Sequence, residues 1–411
     1  MIAFEALRRL SIPAQAIREH SGREVPTAPL LHLALLLTGL ATALLGPILP
    51  LLSGHWHLQD QQSGLLLAAQ FLGAFTGGLT VSKRLRRSLV LGLAAAAVGF
   101  TGFAMAPALA PACVLLFVAG WGVGQCITSC NIIAGRRYST RRGSAMALLN
   151  FSWSVGAMLS PLLAAWLTPR FPLRHLIEGF AGCFLGVLIL LLGDLRGMPT
   201  EIVSASDTSS GGAGASRLAF SAYLYFIALL FLYGGVETSI SGWLTTYALR
   251  YGNRNLTLSE YTTLVLWTAL TVGRAVTSIL LLRMKESTLL RASLLLSAVF
   301  IAGLALAHGA WSIAAFAVLL GLSLAPFFPS SFSMMMGDRP SARQAGVVLA
   351  VSGVGAAVLP SIMGVLSTHT RSLQLALAVP FTAALILLGL SLSPPVPASG
   401  SDTPPPLAAK R

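Results

Sequence analysis

One acidic side chain stands inside a long apolar stretch, and polar or aromatic residues flank it at helical spacing. From Tyr233 the segment reads Tyr-Gly-Gly-Val-Glu-Thr-Ser-Ile-Ser-Gly-Trp. A charged side chain within a membrane-spanning helix costs roughly 2.5–3.5 kcal/mol on insertion, so Glu237 is a candidate functional residue. In a helix Tyr233, Glu237 and Ser241 share one face because they are four residues apart. This polar stripe is suited to binding hydroxyl groups.

Aromatic rings and amides in other apolar segments are further candidates for ligand contacts. Trp243 is either a platform for the C–H face of a ligand or an aromatic residue of the membrane interface. A buried amide offers two donors and an acceptor, but it also holds neighbouring helices together, and both interpretations stay open. The candidates of this kind are Asn150, Gln70, Trp153, Asn131, Gln125 and Trp267.

The composition indicates an integral membrane protein. The 411-residue chain is 55% hydrophobic and only 10% charged, with a mean hydropathy of +0.78, whereas soluble proteins carry about 25% charged residues. A net charge of +14 suggests a nucleic-acid partner at first. The basic residues lie in short clusters between apolar runs, however, which is the distribution of a membrane protein. We therefore expect a lipid bilayer and no nucleic acid as the surroundings of this chain.

Twelve apolar segments approach the ~20 residues that cross a bilayer as a helix. Helices are favoured over strands because backbone groups in lipid must be paired within the segment. The sequence predicts an all-α fold with spans at 29–52, 62–82, 88–106, 110–134, 144–168, 174–193, 218–247, 258–283, 287–307, 310–335, 342–367 and 371–391. The predicted units are a tail (1–28), a six-helix bundle (29–193), a flexible Gly/Ser linker (194–217), a second six-helix bundle (218–391) and a Pro-rich tail (392–411).

The basic residues predict the orientation. With these spans, 21 Lys and Arg residues fall on the side of the chain termini and 5 on the other side. This imbalance predicts that both termini are cytoplasmic. The short loops favour a bacterial inner membrane.

The two predicted bundles share a sequence pattern. Val-Gly-Ala beginning at Val155 is followed by Pro161, and Val-Gly-Ala beginning at Val354 is followed by Pro360, 199 residues later in both cases. Parallel repeats of six helices are typical of one large transporter fold.

Several motifs, taken together, resemble a known family. They are Gly46-Pro-Ile-Leu-Pro50; Gly120-Trp-Gly-Val-Gly124 with Asn131, Asn150 and Pro161; Tyr233-Gly-Gly-Val-Glu237 with Trp243 and Tyr247; Trp267 with Gly273-Arg274; and Gly321-Leu-Ser-Leu-Ala-Pro326-Phe-Phe-Pro329. In this order and spacing they resemble the major facilitator superfamily, and within it the fucose–glucose/mannose permease group of sugar:proton symporters. The resemblance implies two pseudo-symmetric six-helix bundles and a sugar site between them.

Three positions depart from that group. The loop after Gly77 is basic but lacks the family's aspartate, and the acid near the end of helix 1 is replaced by Gly46 or Pro47. Ile127 stands where the family has a glutamate, four residues before Asn131. Proton coupling through Glu237, sodium coupling and uniport therefore all stay open.

A further set of residues is assigned to gating or structure. Arg274 lies inside the eighth span, where it either extends to the membrane surface or pairs with an acid. The others are Lys83, Arg84, Arg136, Arg137, Pro326 and Pro329.

The working hypothesis is a monomeric secondary transporter that imports a neutral hexose. Efflux of a drug-like or lipid-like solute is the alternative. No motif for an enzyme or an organic cofactor stands out. His55 and His57 lie near Asp60 in a predicted loop, but no third ligand is fixed beside the two histidines, so a metal site is not expected.

Overall fold

The computed structural model describes residues 28–82, 84–137, 142–194, 218–252, 254–281, 283–337 and 342–393. Within these ranges the chain is helical and contains no strand, which confirms the predicted all-α fold. Lys83 and nearly all of the two predicted tails and the predicted linker lie outside the described residues. In the described ranges we number twelve helices, of which two are broken: α1 (Ala28–Trp56), α2 (Asp60–Leu79), α3 (Leu85–Ala104), α4 (Leu109–Arg137), α5 (Arg142–Leu167), α6 (Leu173–Asp194), α7 (Phe220–Tyr251), α8 (Leu256–Leu280), α9 (Glu286–Leu306), α10a and α10b (Ala310–Leu324, Phe327–Gly337), α11 (Ala342–Thr370), and α12a and α12b (Leu373–Ala376, Ala378–Leu392).

The helices alternate in direction, so the molecule has two ends. We name the end with the starts of α1 and α7 and the ends of α6 and α12b the terminal face, and the opposite end the distal face. Ten helical segments of the described chain are long and apolar enough to cross a membrane by themselves. The remaining two helices, α2 and α8, fall short of that apolar content, and both pack on the seam between the two halves of the chain.

The repeated Val-Gly-Ala pattern has a packing role in both halves. A Cβ atom at Gly156 of α5 would lie 2.0 Å from the carbonyl oxygen of Leu36 in α1. A Cβ atom at Gly355 of α11 would lie 1.7 Å from the carbonyl oxygen of Phe231 in α7. Small residues let membrane helices approach this closely. The repeated glycine therefore fixes the same helix pair, α1–α5 and α7–α11, in each half.

The halves meet along three helix pairs: α2 with α11, α5 with α8, and α1 with α7. The last pair is tight, since a Cβ atom at Gly46 would lie 2.6 Å from the carbonyl oxygen of Ser241. Hydrogen bonds between the halves are concentrated near the distal face. The structure is therefore a conformation in which the distal face is closed.

Two helices that the sequence predicts as continuous are broken. Helix α10a ends at Leu324 and α10b begins at Phe327, with Pro326 between them. Helix α12a ends at Ala376, four residues before Pro380. A proline ring clashes with the carbonyl four residues earlier and has no N–H to donate, so each break has a local cause in the sequence.

Candidate functional site

Glu237 lies in the middle of α7 and has two polar partners. The Tyr233 hydroxyl donates to Glu237 Oε2 from one turn earlier on the same helix. From α8, Nη2 of Arg274 lies 3.2 Å from the same oxygen. The sequence left open whether Arg274 pairs with an acid or extends to the membrane surface, and in the structure it is the counter-ion of Glu237. Pairing compensates the cost of placing both charges in an apolar segment.

Arg274 also reaches the other half of the protein. Its Nη1 donates to the Ser154 hydroxyl of α5 at 3.3 Å, and its guanidinium carbon lies 5.9 Å from the centre of the Trp153 ring. Trp153 in turn meets Trp267 of α8 edge to face, with ring centres 5.8 Å apart. We call Tyr233, Glu237, Arg274, Trp153 and Trp267 the central cluster.

The charges of the central cluster are accessible. The side chains of Arg274 and Glu237 are 21% and 15% exposed, respectively. Nε of Arg274 and Nε1 of Trp267 are buried and have no hydrogen-bond partner within the described chain. Two unused donors beside an accessible ion pair leave the cluster able to bind acceptor atoms of a ligand.

A small cavity, with room for about one water molecule, adjoins the central cluster on its distal side. Two predicted ligand contacts, Ser241 and Trp267, line it. Thr42 and Thr238 add hydroxyl groups from α1 and α7. The cavity is too small to hold a hexose in this conformation, so a sugar enters it only if the two halves rearrange. The full lining is Thr42, Ala43, Gly46, Leu67, Phe71, Thr238, Ser241, Gly242 and Trp267.

The break in α10 is in contact with the central cluster. The Phe327 ring, the first residue of α10b, stacks on the Tyr233 ring with centres 4.1 Å apart. The Tyr233 oxygen also lies 3.2 Å from the carbonyl oxygen of Leu324, the last residue of α10a. Pro326 thus separates two helix ends that both touch Tyr233, while Pro329 lies in the first turn of α10b, where proline is tolerated.

Asn150 is exposed and lies one turn before Ser154 on α5. Residues four apart share a helix face, and Ser154 faces Arg274. Asn150 therefore lies on the face of α5 that carries the central cluster, displaced toward the terminal face.

Four other predicted contacts use polar atoms to hold helices or backbone. Gln70 Nε2 donates to the Ala41 carbonyl at 2.9 Å, and Gln125 Nε2 donates to the Thr80 hydroxyl at 3.0 Å. Asn131 Nδ2 donates to the Ile127 carbonyl of its own helix at 2.8 Å. Trp243 is 1% exposed and its Nε1 donates to the Pro360 carbonyl at 3.1 Å. In this conformation these side chains stabilise helix packing, and the described contacts do not bring them to Glu237.

Of the predicted basic gating residues outside the central cluster, the structure describes the side chain of Arg84 alone, at the terminal face. Arg84 is exposed and precedes the first residue of α3. Arg136 and Arg137 end α4, but their side chains lie outside what the structure describes, as does the whole of Lys83.

Sequence reasoning missed an ion pair that joins the two halves at the distal face. Asp60, the first residue of α2, accepts two hydrogen bonds from the guanidinium of Arg250 at the end of α7, one of them 2.6 Å long. The Ser367 hydroxyl of α11 donates to the same carboxylate. The partners are 190 residues apart in sequence, so no local pattern connects them.

A buried acid was missed as well. Glu260, one turn into α8, is 0% exposed, and its Oε1 lies 3.5 Å from the Thr168 hydroxyl at the end of α5. Its other oxygen is buried without a partner. The sequence did contain a signal for this residue. Glu260 lies just inside the predicted span 258–283, and it follows Asp60 by 200 residues, close to the 199-residue spacing of the internal repeat.

The chain matches known proteins over most of its length. Residues 31–351 match the model of the Major Facilitator Superfamily. An uncharacterized MFS-type transporter, YceJ of Bacillus subtilis, is 26% identical over 86% of this chain and 92% of its own. Among solved structures, the fucose:proton symporter FucP of E. coli has a TM-score of 0.59 at 18% identity, over 89% of this chain and 97% of its own. A bacterial homologue of the human lysosomal transporter Spinster, in its inward-facing and occupied conformation, has a TM-score of 0.71 at 12% identity. The match covers 89% of this chain and 95% of the homologue.

Proposed function

Because this chain belongs to the Major Facilitator Superfamily of membrane transporters, we propose that it is a secondary active transporter of a small neutral sugar, with the central cluster as its substrate site. The observation that carries the proposal is the ion pair between Glu237 and Arg274, which lies at the seam of the two halves next to Trp153 and Trp267. In transporters of this build, substrate sites lie near the bilayer midplane between the repeats.

The chemistry of the cluster suits a neutral, hydroxyl-rich solute. Glu237 accepts hydrogen bonds from hydroxyl groups and Arg274 donates to hydroxyl and ring oxygens, with no net charge to be balanced by the solute. The indole rings of Trp153 and Trp267 offer apolar surface for C–H groups. The hydroxyl groups of Thr42, Thr238 and Ser241 extend the polar surface into the adjoining cavity.

Coupling to a proton would act through Glu237. Protonation of this carboxylate removes its charge and weakens its attraction to Arg274, whose Nη1 is bonded to Ser154 in the other half. A change at Glu237 is thereby transmitted to the seam that must rearrange during alternating access. Sodium coupling and facilitated diffusion are alternatives that the transport experiment separates.

The proposal includes a location and an oligomeric state. The protein would lie in the inner membrane of a bacterium with its terminal face toward the cytoplasm, and it would act as a monomer with one site.

The test is uptake of labelled glucose, mannose, galactose and fucose into proteoliposomes, with a pH gradient, with a sodium gradient and with neither. We expect saturable uptake of at least one hexose that a pH gradient accelerates. Glu237→Gln should keep some exchange but lose the acceleration, because a glutamine carries no titratable proton. The matched control is Glu178→Gln, which changes a partly exposed acid in α6 that is paired with Arg174 and should leave uptake intact. If no hexose is transported or competes, the sugar proposal fails.

A second candidate substrate is a small carboxylate anion. Nε of Arg274 is buried and unpaired, and an arginine binds a carboxylate with two parallel hydrogen bonds. The anion would have to displace Glu237 from Arg274, so it should be carried best when Glu237 is neutral. Uptake of a small dicarboxylate that Glu237→Gln increases, with no hexose uptake, would favour this candidate.

A further inference from the structure

The distal face is closed by two contacts that are related by the internal repeat. Asp60 of α2 accepts from Ser367 of α11, and Glu260 of α8 is the acceptor for Thr168 at the end of α5. Asp60 and Glu260 are 200 residues apart, and Thr168 and Ser367 are 199 residues apart, the spacing of the repeated Val-Gly-Ala pattern. We call the first contact the α2–α11 gate and the second the α5–α8 gate.

The two gates differ in charge. At the α2–α11 gate Arg250 neutralises Asp60 through two hydrogen bonds. Leu36 of α1 contacts Gly156 of α5, and Phe231 of α7 contacts Gly355 of α11, so Leu36 and Phe231 are counterparts in the two halves. They are 195 residues apart, and the same spacing makes His55 the counterpart of Arg250. His55 is exposed and contacts Trp56. The α5–α8 gate thus has an acid without the cation that its counterpart has.

Two ionisable groups on the elements packed against α8 have partners of their own. Arg170, after α5, donates to the Trp166 carbonyl and lies 5.1 Å from the centre of the Trp166 ring. Tyr247 donates to the Leu304 carbonyl. In the part of the chain that the structure describes, no ionisable group hydrogen-bonds or ion-pairs with Glu260. The ionisable groups at the distal ends of α8 and of the helices packed on it, α1, α5 and α7, are His55, Arg170, Tyr247, Arg250, Tyr251, Arg254 and Tyr261. Helices α10a and α10b contain no ionisable residue in their sequences.

A closed α5–α8 gate is incompatible with a charged Glu260. The side chain is fully buried, one oxygen has no partner, and the other has only a hydroxyl at 3.5 Å. A buried carboxylate with so little compensation becomes neutral by taking up a proton. We propose that Glu260 is a proton-binding site of the α5–α8 gate, which takes a proton from the distal compartment as the gate closes and returns it there as the gate opens.

This role is distinct from that proposed for Glu237. Glu260 lies one turn from the distal end of α8 and has no exposure in the closed state, so its proton leaves by the way it came and is not carried across. Its effect is to make closure of the distal face depend on the pH of the distal compartment. The inference rests on alternating access as part of the proposed function, but neither on the sugar nor on coupling through Glu237.

The closing equilibrium can be measured on the purified full-length protein without substrate. Spin labels are attached at Arg170→Cys and Arg254→Cys, exposed positions on either side of the gate, after the accessible Cys113 and Cys183 are changed to serine. Between about pH 9 and pH 6 we expect the ratio of short to long label distances to rise, by at most tenfold per pH unit for one linked proton. Glu260→Gln should give the short distance throughout, and Glu260→Asp should retain a pH response.

Glu178→Gln is the control and should respond like the unmodified protein. A pH response that persists in Glu260→Gln, or that Glu178→Gln also abolishes, would overturn the proposal.

Infrared spectroscopy of the same purified full-length protein gives an independent test that needs no label. At about pH 7, where ordinary carboxyl groups are ionised, we expect a carbonyl stretch of a protonated carboxyl group. The band should remain in Glu237→Gln and disappear in Glu260→Gln. Absence of the band in the unmodified protein contradicts the proposal even if Glu260→Gln does not fold. Failure of sugar uptake affects neither measurement, so the two proposals fail separately.

Discussion

Two ion pairs of the same chemistry occupy different places relative to the seam. Glu237 and Arg274 lie on α7 and α8, in the same half of the chain, and their side chains are 15% and 21% exposed. Asp60 and Arg250 lie in opposite halves, on α2 and α7. When the halves separate at the distal face, the second pair must break and the first can persist. One pair is thus available to a substrate throughout the cycle, whereas the other belongs to one conformation only.

The hydrogen-bond partners strengthen this contrast. Arg274 uses a second nitrogen to contact Ser154 across the seam at 3.3 Å, a long hydrogen bond that a ligand can replace. Arg250 commits two nitrogens to Asp60 in a bidentate pair, and such pairs are stronger and more directional than single contacts. Position relative to the seam and the number of committed donors therefore distinguish the pair that we propose binds solute from the pair that closes the distal face.

The largest expected effect is at the central pair. Arg274→Gln leaves Glu237 charged without its counter-ion, and loss of one partner of a buried pair costs about 3 kcal/mol. We expect hexose uptake to fall by about a hundredfold, with Arg274→Lys intermediate because an ammonium cannot contact Glu237 and Ser154 together in the same way. Initial uptake rates in proteoliposomes measure this. Normal uptake by Arg274→Gln would remove the pair from the substrate site.

A smaller effect, of a different kind, is expected at the distal pair. Asp60→Asn removes the negative charge that pairs with Arg250. Because this ion pair is partly exposed, it should stabilise the closed distal face by about 1 kcal/mol. The distal-open population should rise about fivefold, while substrate affinity of the open form is unchanged. The readout is the rate at which a membrane-impermeant maleimide, added from the distal side, labels Thr42→Cys in the cavity.

The matched control for Asp60→Asn is Glu178→Gln. It breaks an ion pair between neighbouring turns of α6 that does not cross the seam. An equal labelling rate in both variants would mean that Asp60 does not hold the gate.

The smallest expected effects on uptake and stability distinguish Trp267 from Trp243, two tryptophans that the sequence indicates as candidate ligand contacts. Trp267 lines the cavity and contacts Trp153, so Trp267→Phe should raise KM about fivefold and leave thermal stability unchanged. Trp243 is fully packed and donates to the Pro360 carbonyl, so Trp243→Phe should lower Tm by about 2 °C through the lost hydrogen bond and leave KM unchanged. Uptake kinetics and thermal unfolding of both variants check this, and interchanged results would reverse the two assignments.

The sequence by itself determined the twelve-helix fold, and it predicted the two halves and marked Glu237 as a candidate site residue. These follow from local features of the sequence: the apolar length of each span, the repeated Val-Gly-Ala pattern and the cost of inserting one acid into a membrane. Only the tertiary structure decided that Arg274 neutralises Glu237, that Arg250 reaches Asp60, and that Trp243 packs while Trp267 faces the cavity. Such pairings depend on the rotation and register of one helix against another, and many weak contacts distributed over both halves set these.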